Sequence, residues 1–506
     1  MSLAGHGRAA LRGALFLCTI FGVAASLAGA QCVLTEVDKL TASDGASSSW
    51  FGYSVCVDGD VMAVGAAYDS EGAPYCGAVY MFRYDGSAWV EEQKLLPHDP
   101  RSWKLFGNAV AVSGDVVVVG AIGDNELALG AGAAYVFRKQ SAAWVEGAKL
   151  LASDGDYGDQ FGQSVSVDNE VIVVGAPYGG PAPQVTTGCA YVFQFNSSSW
   201  VETQKLLASD GLPGDYLGWS VSLSGNVMAV GAPFVVVDYY RGAAYLFRHD
   251  GSRWVEEQRV VPSCSSTCFF GKSVSIADDR VAGGSSSDYG WGDAYVFHYD
   301  GATWTEEARL VPSDDDPYSK YGAAIAILDD VVAVGAPNAD HLRGMVHVFR
   351  RQGEAWTEEQ ELVASDSGPA GVALGTSVAI EGHTLAAGAP LHDPGTGLWT
   401  GAVYLYAPVP DLVLEAEPQA VHVGDLLTLS TFYGNPSEPA LLAIVGVNGV
   451  PVFQRVAVGS FGADLKWQLS DTVPPGLSGV LLTFQAFGMT RCGNPDATNE
   501  ERVYFY

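Results

Sequence analysis

Three carboxylates stand close together in one polar stretch of the sequence. Asp154, Asp156 and Asp159 fall within six residues of one another, just before Phe161. Carboxylate oxygens are preferred calcium ligands, so this triplet is the candidate for a weakly held extracellular calcium ion. The alternative is that the three side chains stabilise turns in a solvated loop, because aspartate is a common turn residue. Apart from this weak calcium hypothesis, the sequence suggests no cofactor.

Cysteine is the second residue type that could take part in chemistry. The chain has eight cysteines, of which Cys18 lies in the first thirty residues and seven lie beyond them. An odd number leaves at least one thiol free or in an intermolecular bond. Cys264 and Cys268 are four residues apart in a serine-rich stretch, so a local disulfide is expected between them. Their spacing is not that of a zinc site.

The sequence gives little support for a catalytic function. The sequence contains no GxSxG, HExxH or Walker-type loop, and its nine histidines are scattered. Paired glutamates recur at equivalent places of the repeat, at Glu91-Glu92, Glu256-Glu257, Glu306-Glu307 and Glu358-Glu359. A catalytic pair should occur only once, so these pairs are predicted to be solvated strand positions. No catalytic or cofactor-binding residue is assigned, and the protein is predicted not to be an enzyme. A carboxylate pair assembled from distant segments stays open.

Composition limits the class of protein. The 506 residues carry 57 acidic and 26 basic side chains, for a net charge of −31, so a nucleic-acid partner is excluded on electrostatic grounds. An apolar fraction of 48% is enough to build a large core. The many glycines and prolines, together with 23 Tyr and 21 Phe, favour a β-rich fold.

Residues 1–30 are predicted to be a cleaved signal peptide. Two arginines precede an apolar run that ends in Ala28-Gly29-Ala30, a small-residue cleavage pattern. The alternative is an N-terminal membrane anchor, but the run is at the short limit for a span. No later segment is long and apolar enough to cross a bilayer. The mature protein is therefore expected to be secreted or held at the cell surface, without a membrane span.

The sequence repeats one unit seven times. A Phe-Gly pair or its variant recurs every 51 to 56 residues, and a second glycine follows each of these glycines by thirteen residues. The seven pairs begin at Phe51, Phe106, Phe161, Leu217, Phe270, Tyr321 and Leu374. Such a period is the signature of a repeat architecture.

Each unit reads as four short antiparallel strands joined by tight turns such as Asp58-Gly59 and Asp85-Gly86. The second strand is apolar throughout, so both of its faces must be covered, and radial stacking in a β-propeller achieves this. The seventh unit lacks a fourth strand, and residues 34–40 resemble one. The fold class is therefore all-β, a seven-bladed propeller of residues 31–407 closed by an N-terminal strand.

Two positions within the repeat receive specific interpretations. Six tryptophans share one position of the fourth strand and are predicted to contact the neighbouring blade rather than to bind sugars: Trp89, Trp144, Trp200, Trp254, Trp304 and Trp356. His347 stands where the other units have tyrosine, and it is predicted to be a substitution in the core.

The repeated Phe-Gly and Gly-Ala-Pro elements resemble the FG-GAP repeats of the integrin α-subunit N-terminal propeller. They resemble more closely the short FG-GAP-type repeats of secreted bacterial proteins. The resemblance covers about residues 32–407 and implies a propeller associated with adhesion and ligand binding. Many integrin-type repeats carry a calcium loop between the first two strands. Here that connection is only a turn, as at Asp168-Asn169-Glu170, so the family's calcium sites are not transferred.

Residues 411–506 lack the repeat and are predicted to form a small β-sandwich accessory domain. Short β-prone runs such as 441–445 and 480–484 alternate there with proline and glycine. Pairing of the N-terminal strand with the last blade would place Cys32 near Pro408 and the domain junction. A Cys32–Cys492 disulfide is a hypothesis on that basis.

The function expected from the sequence is recognition. The leading hypothesis is an exported, non-enzymatic recognition or adhesion scaffold that binds an extracellular protein or polysaccharide through its propeller loops. The first alternative is an extracellular glycan hydrolase or lyase built on the propeller. The second is a structural component of a cell surface or matrix.

Overall fold

The computed structural model describes residues 33–408 apart from 46, 183–184, 287–291, 315, 369–370 and 396. Beyond residue 408 it describes the backbone of six strands between residues 413 and 504. The predicted signal peptide and both cysteines of the hypothetical Cys32–Cys492 bridge lie outside the described residues. The chain divides into two units, one of residues 33–409 and one that contains residues 410–506.

Seven four-stranded antiparallel sheets, the blades, make up the first unit. Strand β1 (Leu34–Leu40) comes first. Blades 1 to 3 follow as β2 (Phe51–Asp58), β3 (Val61–Ala66), β4 (Ala78–Tyr84), β5 (Trp89–Leu95), β6 (Phe106–Ser113), β7 (Val116–Ala121), β8 (Ala133–Gln140), β9 (Ala143–Leu150), β10 (Ser164–Asp168), β11 (Val171–Ala176), β12 (Cys189–Phe195) and β13 (Trp200–Leu206).

Blades 4 to 7 repeat the same order with one short helical segment before β24. They comprise β14 (Val221–Ser224), β15 (Val227–Ala232), β16 (Ala243–His249), β17 (Trp254–Val260), β18 (Ser273–Ala277), β19 (Arg280–Ser285), β20 (Asp293–Tyr299), β21 (Trp304–Leu310), β22 (Ala324–Leu328), β23 (Val331–Ala336), α1 (Ala339–Leu342), β24 (Met345–Gln352), β25 (Ala355–Leu362), β26 (Ser377–Glu381), β27 (Thr384–Ala389) and β28 (Ala402–Pro408).

The N-terminal strand closes the ring, as predicted. Strand β1 pairs antiparallel with β28, with Leu34 opposite Pro408 and Leu40 opposite Val403, so it is the fourth strand of blade 7. The first strands of consecutive blades lie against one another, and β2 of blade 1 contacts β26 of blade 7. The seven-bladed propeller expected from the repeat is therefore confirmed.

Each blade buries its middle strands because neighbouring blades cover both faces. Every residue of β7 is buried, as its run of valines predicts. The first residue of each Phe-Gly pair is buried, and Phe106 lies at a blade boundary, where it bridges to Gly77 of blade 1 and meets the Tyr135 ring of its own blade edge-on at 5.4 Å. Hydrophobic clusters accordingly join adjacent blades, as Val79 and Val119 do between blades 1 and 2. The core is thus a ring of inter-blade contacts rather than one central cluster.

The two repeated glycines touch across each blade boundary, which explains their fixed spacing. A Cβ atom on Gly335 would lie 2.1 Å from the carbonyl oxygen of Gly375 in the next blade. The Gly375 N–H in turn donates to the carbonyl of Gly388 in its own blade. The same approach closes the ring, since a Cβ on Gly388 would lie 2.0 Å from the Gly52 carbonyl oxygen. No side chain fits at this position of the repeat.

The second unit contains strands β29 (Val413–Glu415), β30 (Ser430–Phe432), β31 (Pro439–Val447), β32 (Val456–Ser460), β33 (Leu481–Met489) and β34 (Pro495–Tyr504). Strands β29 and β30 pair, and the others form an antiparallel sheet in the order β32-β31-β33-β34. These strands agree with an all-β domain, whereas packing as a sandwich stays a prediction. Within the described ranges, no helix is long and apolar enough to cross a membrane.

Candidate functional site

One face of the propeller carries the connectors between blades and those between the second and third strands of each blade. The residue before each Phe-Gly pair stands at this face with a left-handed backbone, at φ values between 54° and 58° in all seven blades. These residues are Trp50, Leu105, Gln160, Tyr216, Phe269, Lys320 and Ala373. The conformation is costly for bulky residues, so its sevenfold recurrence marks a turn that the repeat imposes.

Aromatic cluster A lies on this face at blades 1 and 2 and consists of Trp50, Tyr53, Tyr68, Tyr75 and Trp103. Its rings follow one another, with centroids 4.3 Å apart from Trp50 to Tyr68, 6.1 Å from Tyr68 to Tyr75 and 4.3 Å from Tyr75 to Trp103. The outer end is open to solvent, where Trp103 is 59% exposed. Tyr75 is exposed as well, whereas Trp50, Tyr53 and Tyr68 are half-buried, and contiguous aromatic side chains that reach solvent are typical of interaction sites.

Aromatic cluster B occupies equivalent repeat positions on blades 3 to 5. It consists of Tyr178, Tyr216, Trp219, Phe234, Tyr240 and Phe269. Successive rings again touch, with 4.9 Å between Tyr178 and Tyr216, 5.2 Å between Tyr216 and Phe234, and 5.2 Å between Phe234 and Phe269. Tyr240 stacks on Phe269 and is 49% exposed. At the repeat position of Trp50 and Tyr216, blades 6 and 7 have Lys320 and Ala373. The aromatic surface therefore covers only part of the ring.

The chemistry of the two clusters is that of a stacking surface with polar edges. Indole and phenol rings present apolar faces, and the phenols add hydroxyl donors. Burial raises the pKa of Tyr53, and the neighbouring Tyr68 raises it further. Burial, with Tyr216 beside it, raises the pKa of Tyr178 as well. Both hydroxyls therefore stay protonated and able to donate at neutral pH.

Neither cluster was predicted from the sequence, because the repeat is recognised by residues that every unit shares. Their residues occupy repeat positions that differ from one unit to the next, where Trp50 in one blade corresponds to Gln160 in another. The signal that could have found them is aromatic enrichment at variable positions beside the invariant Phe-Gly and Gly-Ala pairs. Loops of a rigid scaffold are where binding residues are expected.

The predicted calcium triplet is engaged in local contacts. The Asp154 carboxylate accepts hydrogen bonds from the Tyr191 hydroxyl at 2.7 Å and from the Lys205 ammonium at 2.6 Å. The Asp159 carboxylate accepts from the backbone N–H of Asp156 at 2.8 Å. The three side chains do not form a metal-sized group. Among the described side chains, the group of three that does consists of Asp314, His347 and Glu361.

The paired glutamates are half-buried, apart from the exposed Glu92, and they make specific hydrogen bonds that the prediction of solvated strand positions did not include. The glutamate two residues after the repeated tryptophan reaches the connector that precedes its blade, where the Ser153 N–H and hydroxyl donate to Glu202 at 2.9 and 2.7 Å. The same clamp joins Ser43 to Glu91, Ser209 to Glu256, Ser263 to Glu306 and Ser365 to Glu36. The glutamates recur because each holds one blade connector.

The repeated tryptophans make contacts between blades, as predicted for Trp144 and Trp304. The Trp144 indole N–H donates to Glu92 of the preceding blade, and the Trp304 indole donates to Glu257. The Gln93 side chain also holds the Trp144 backbone, donating to its carbonyl at 2.9 Å and accepting from its N–H at 2.8 Å. Trp144 and Trp304 are therefore structural.

The structure places a disulfide between Cys264 and Cys268 in the connector that leads into blade 5. Cys76 and Cys189 are buried free thiols, and Cys56 is a partly buried one. Burial raises the pKa of Cys56 to about 11 and that of Cys189 to about 12. Their thiolates are therefore scarce at neutral pH, so these three residues are poor nucleophiles.

Acid should weaken the propeller through the carboxylates of the blade connectors. Burial alone would raise the Asp366 pKa, but bonds from Lys39 and Tyr404 outweigh it and lower the pKa to about 2. A lowered pKa means that Asp366 stabilises the folded state above about pH 4, its unfolded value, and that this contribution is lost toward pH 2. We expect the urea midpoint to fall over this window and Asp366→Asn to flatten the fall. Asp115→Asn, on an exposed turn, should leave the pH profile as it is.

Comparisons with known proteins agree with the repeat. The family model described as the FG-GAP repeat matches residues 34–82, 89–137, 144–193, 200–247, 304–349 and 356–406, more than half of the chain. No curated protein matches. Among solved structures, Saccharomyces cerevisiae Sqt1 aligns at a TM-score of 0.41 and 10% identity over 80% of this chain and 96% of its own. A "putative 6-phosphogluconolactonase" from Bacteroides uniformis aligns at 0.43 and 10% identity over 62% and 85%.

Proposed function

Because the chain belongs to the FG-GAP repeat family, whose propeller supports ligand binding in general, we propose that it is an exported, non-enzymatic scaffold that binds an extracellular polysaccharide through aromatic clusters A and B. The observation that carries the proposal is the series of touching, partly exposed rings at variable repeat positions on one face. The invariant positions hold the ring of blades together, and these variable ones are free for recognition.

Ring stacking favours a carbohydrate over a charged ligand. The apolar faces of sugar rings pack on indole and phenol rings, and sugar hydroxyls accept from tyrosine hydroxyls such as that of Tyr75. The net charge of −31 disfavours a strongly anionic polymer at low ionic strength. A neutral or amino-sugar polysaccharide therefore fits the site best, and the extended series of rings suits a chain of several sugar units.

Binding to insoluble polysaccharide tests this function. Residues 31–506 are incubated with neutral, amino-sugar and anionic polysaccharides, and both retention on the pellet and release of soluble sugar are measured. Removing both ends of cluster A in a Trp50→Ala/Trp103→Ala variant should weaken retention at least about tenfold, since each stacked ring contributes about 1 kcal/mol. Alanine is tolerated at the first position, because blade 7 has Ala373 there.

The matched control is a Leu105→Ala/Lys320→Ala variant, which truncates the same turn position in two blades that place no ring of clusters A or B there. It should bind as the unmodified protein does. Equal retention of the tryptophan variant would contradict a role for cluster A, and retention on none of the polysaccharides would contradict the proposed ligand class. Release of soluble sugar would show that the scaffold is an enzyme.

A further inference from the structure

Most blades contain the same three-residue polar network at their outer edge. A tyrosine of the third strand and a basic residue of the fourth strand both bond to an aspartate of the preceding connector, as Tyr191 and Lys205 do with Asp154. The other examples are Tyr80, Lys94 and Asp44; Tyr135, Lys149 and Asp99; Tyr245, Arg259 and Asp210; and Tyr404, Lys39 and Asp366. In each network the connector carboxylate bonds to a lysine or arginine of the fourth strand, and in blades 1 and 2 that lysine also pairs with further acids, as Lys94 does with Asp69 and Glu71.

Blade 6 keeps the aspartate and changes both of its partners. His347 replaces the tyrosine, Glu361 replaces the basic residue, and Asp314 holds the connector position. One atom from each of these three side chains lies within 4.8 Å of the other two. Blade 6 thus lacks the basic side chain that bonds the connector aspartate in the other five networks, and it has a second carboxylate and an imidazole in place of that cation and the phenol.

His347 is oriented for coordination. It is fully buried, and its Nδ1 lies 2.7 Å from a carboxylate oxygen of Glu358. Because a carboxylate only accepts, Nδ1 carries the proton, and the lone pair is left on Nε2. Nε2 is buried without a hydrogen-bond partner among the residues that the structure describes, and it lies 3.8 Å from Asp314. A carboxylate that fixes the tautomer in this way is the usual companion of a metal-bound histidine.

The surrounding residues hold the ligands and leave excess negative charge. The Ser313 hydroxyl donates to Glu361 at 2.8 Å, and its N–H donates to Glu358 at 2.6 Å. The Tyr321 ring stands edge-on to the imidazole at 5.2 Å. The acids Glu361, Asp316 and Glu358 all lie close enough to Asp314 to repel its carboxylate. A bound cation would relieve this repulsion.

We propose that His347, Asp314 and Glu361 form a binding site for a divalent transition metal of the zinc type. One imidazole nitrogen and two carboxylate oxygens suit Zn²⁺, whereas Ca²⁺ prefers oxygen ligands alone. Three protein ligands leave at least one coordination position for water. The competing explanation is that His347 is a protonated structural residue neutralised by the acids around it.

Metal titration of the chelator-treated full chain separates the two explanations. Calorimetry with Zn²⁺ should show one site per chain, and Co²⁺ should produce the visible absorption of a low-symmetry nitrogen- and oxygen-ligated ion. A His347→Tyr/Glu361→Lys variant restores the pair that other blades contain, so it should fold while binding Zn²⁺ at least about 100-fold more weakly. If it fails to fold, Glu361→Gln provides the same test with a smaller change.

Two further variants sharpen the assignment. Glu358→Gln should keep the ligands but weaken the site by about 10- to 100-fold, because the bond that orients the imidazole is altered. Asp115→Asn removes an acid on an exposed turn of blade 2 and should leave Zn²⁺ binding unchanged, which controls for general attraction to an acidic protein. Zn²⁺ binding that is as tight in the double variant, or absent from the unmodified chain, would overturn the proposal in favour of the structural histidine.

Discussion

Alanine in place of Gly335 is expected to lower the free energy of unfolding by about 3 kcal/mol or more, although it adds a single methyl group. That methyl carbon would lie 2.1 Å from the carbonyl oxygen of Gly375, which belongs to the backbone, and the methyl group itself has no torsion that could move it away. A flexible side chain could turn aside, but here two adjacent blades would have to separate. The separation would strain the neighbouring contacts, because the same glycine approach recurs at each boundary of a closed ring.

Urea unfolding followed by fluorescence measures this effect, and Gly368 provides the matched control. A Cβ atom on Gly368 would meet nothing within 4 Å, so Gly368→Ala should change the midpoint little or raise it slightly. An equal, small shift for both variants would show that the blades can part without cost and would contradict the inter-blade contact as the reason for the repeated glycine.

The fold could be predicted because each of its determinants is local and repeated seven times. Turn pairs such as Asp58-Gly59 define hairpins, and the apolar second strand demands cover on both faces. The missing fourth strand of the last unit could be matched to residues 34–40 for the same reason. Even the His347 substitution was visible, since six other units supply the comparison.

The candidate sites could not be predicted because they depend on residues that are distant in the sequence. The clamp between Ser153 and Glu202 joins residues 49 positions apart, so glutamates that look solvated in one strand are bonded in the ring. Glu361 resembles an ordinary strand acid until β24, β25 and the connector stand side by side. Clusters A and B are formed by rings from several connectors, and no single repeat contains the surface.

Deleting residues 1–41 is expected to remove a large part of the free energy of unfolding of the propeller, because the deletion takes away the fourth strand of blade 7. The deletion exposes the edge of β28. It also breaks the hydrogen bond between Glu36 and Ser365 of the preceding connector, and the bond that Gln360 of blade 6 donates to the Leu34 carbonyl. It also removes Lys39 from Asp366. An unpaired edge strand promotes aggregation. The loss should amount to several kcal/mol, a large part of the about 5–15 kcal/mol typical of proteins.

The control is a chain that begins at residue 31 and keeps β1, which should unfold cooperatively at a much higher urea concentration than the chain that begins at residue 42. A synthetic peptide of residues 33–42, added to the shorter chain, should restore part of the lost stability and reduce aggregation, since it can pair with β28 in the native register. A peptide with Glu36 and Lys39 replaced by alanine should restore less. Equal stability of the two chains without peptide would show that the ring stays closed without β1. It would contradict the idea that pairing of β1 with β28 is the main interaction that keeps the ring closed.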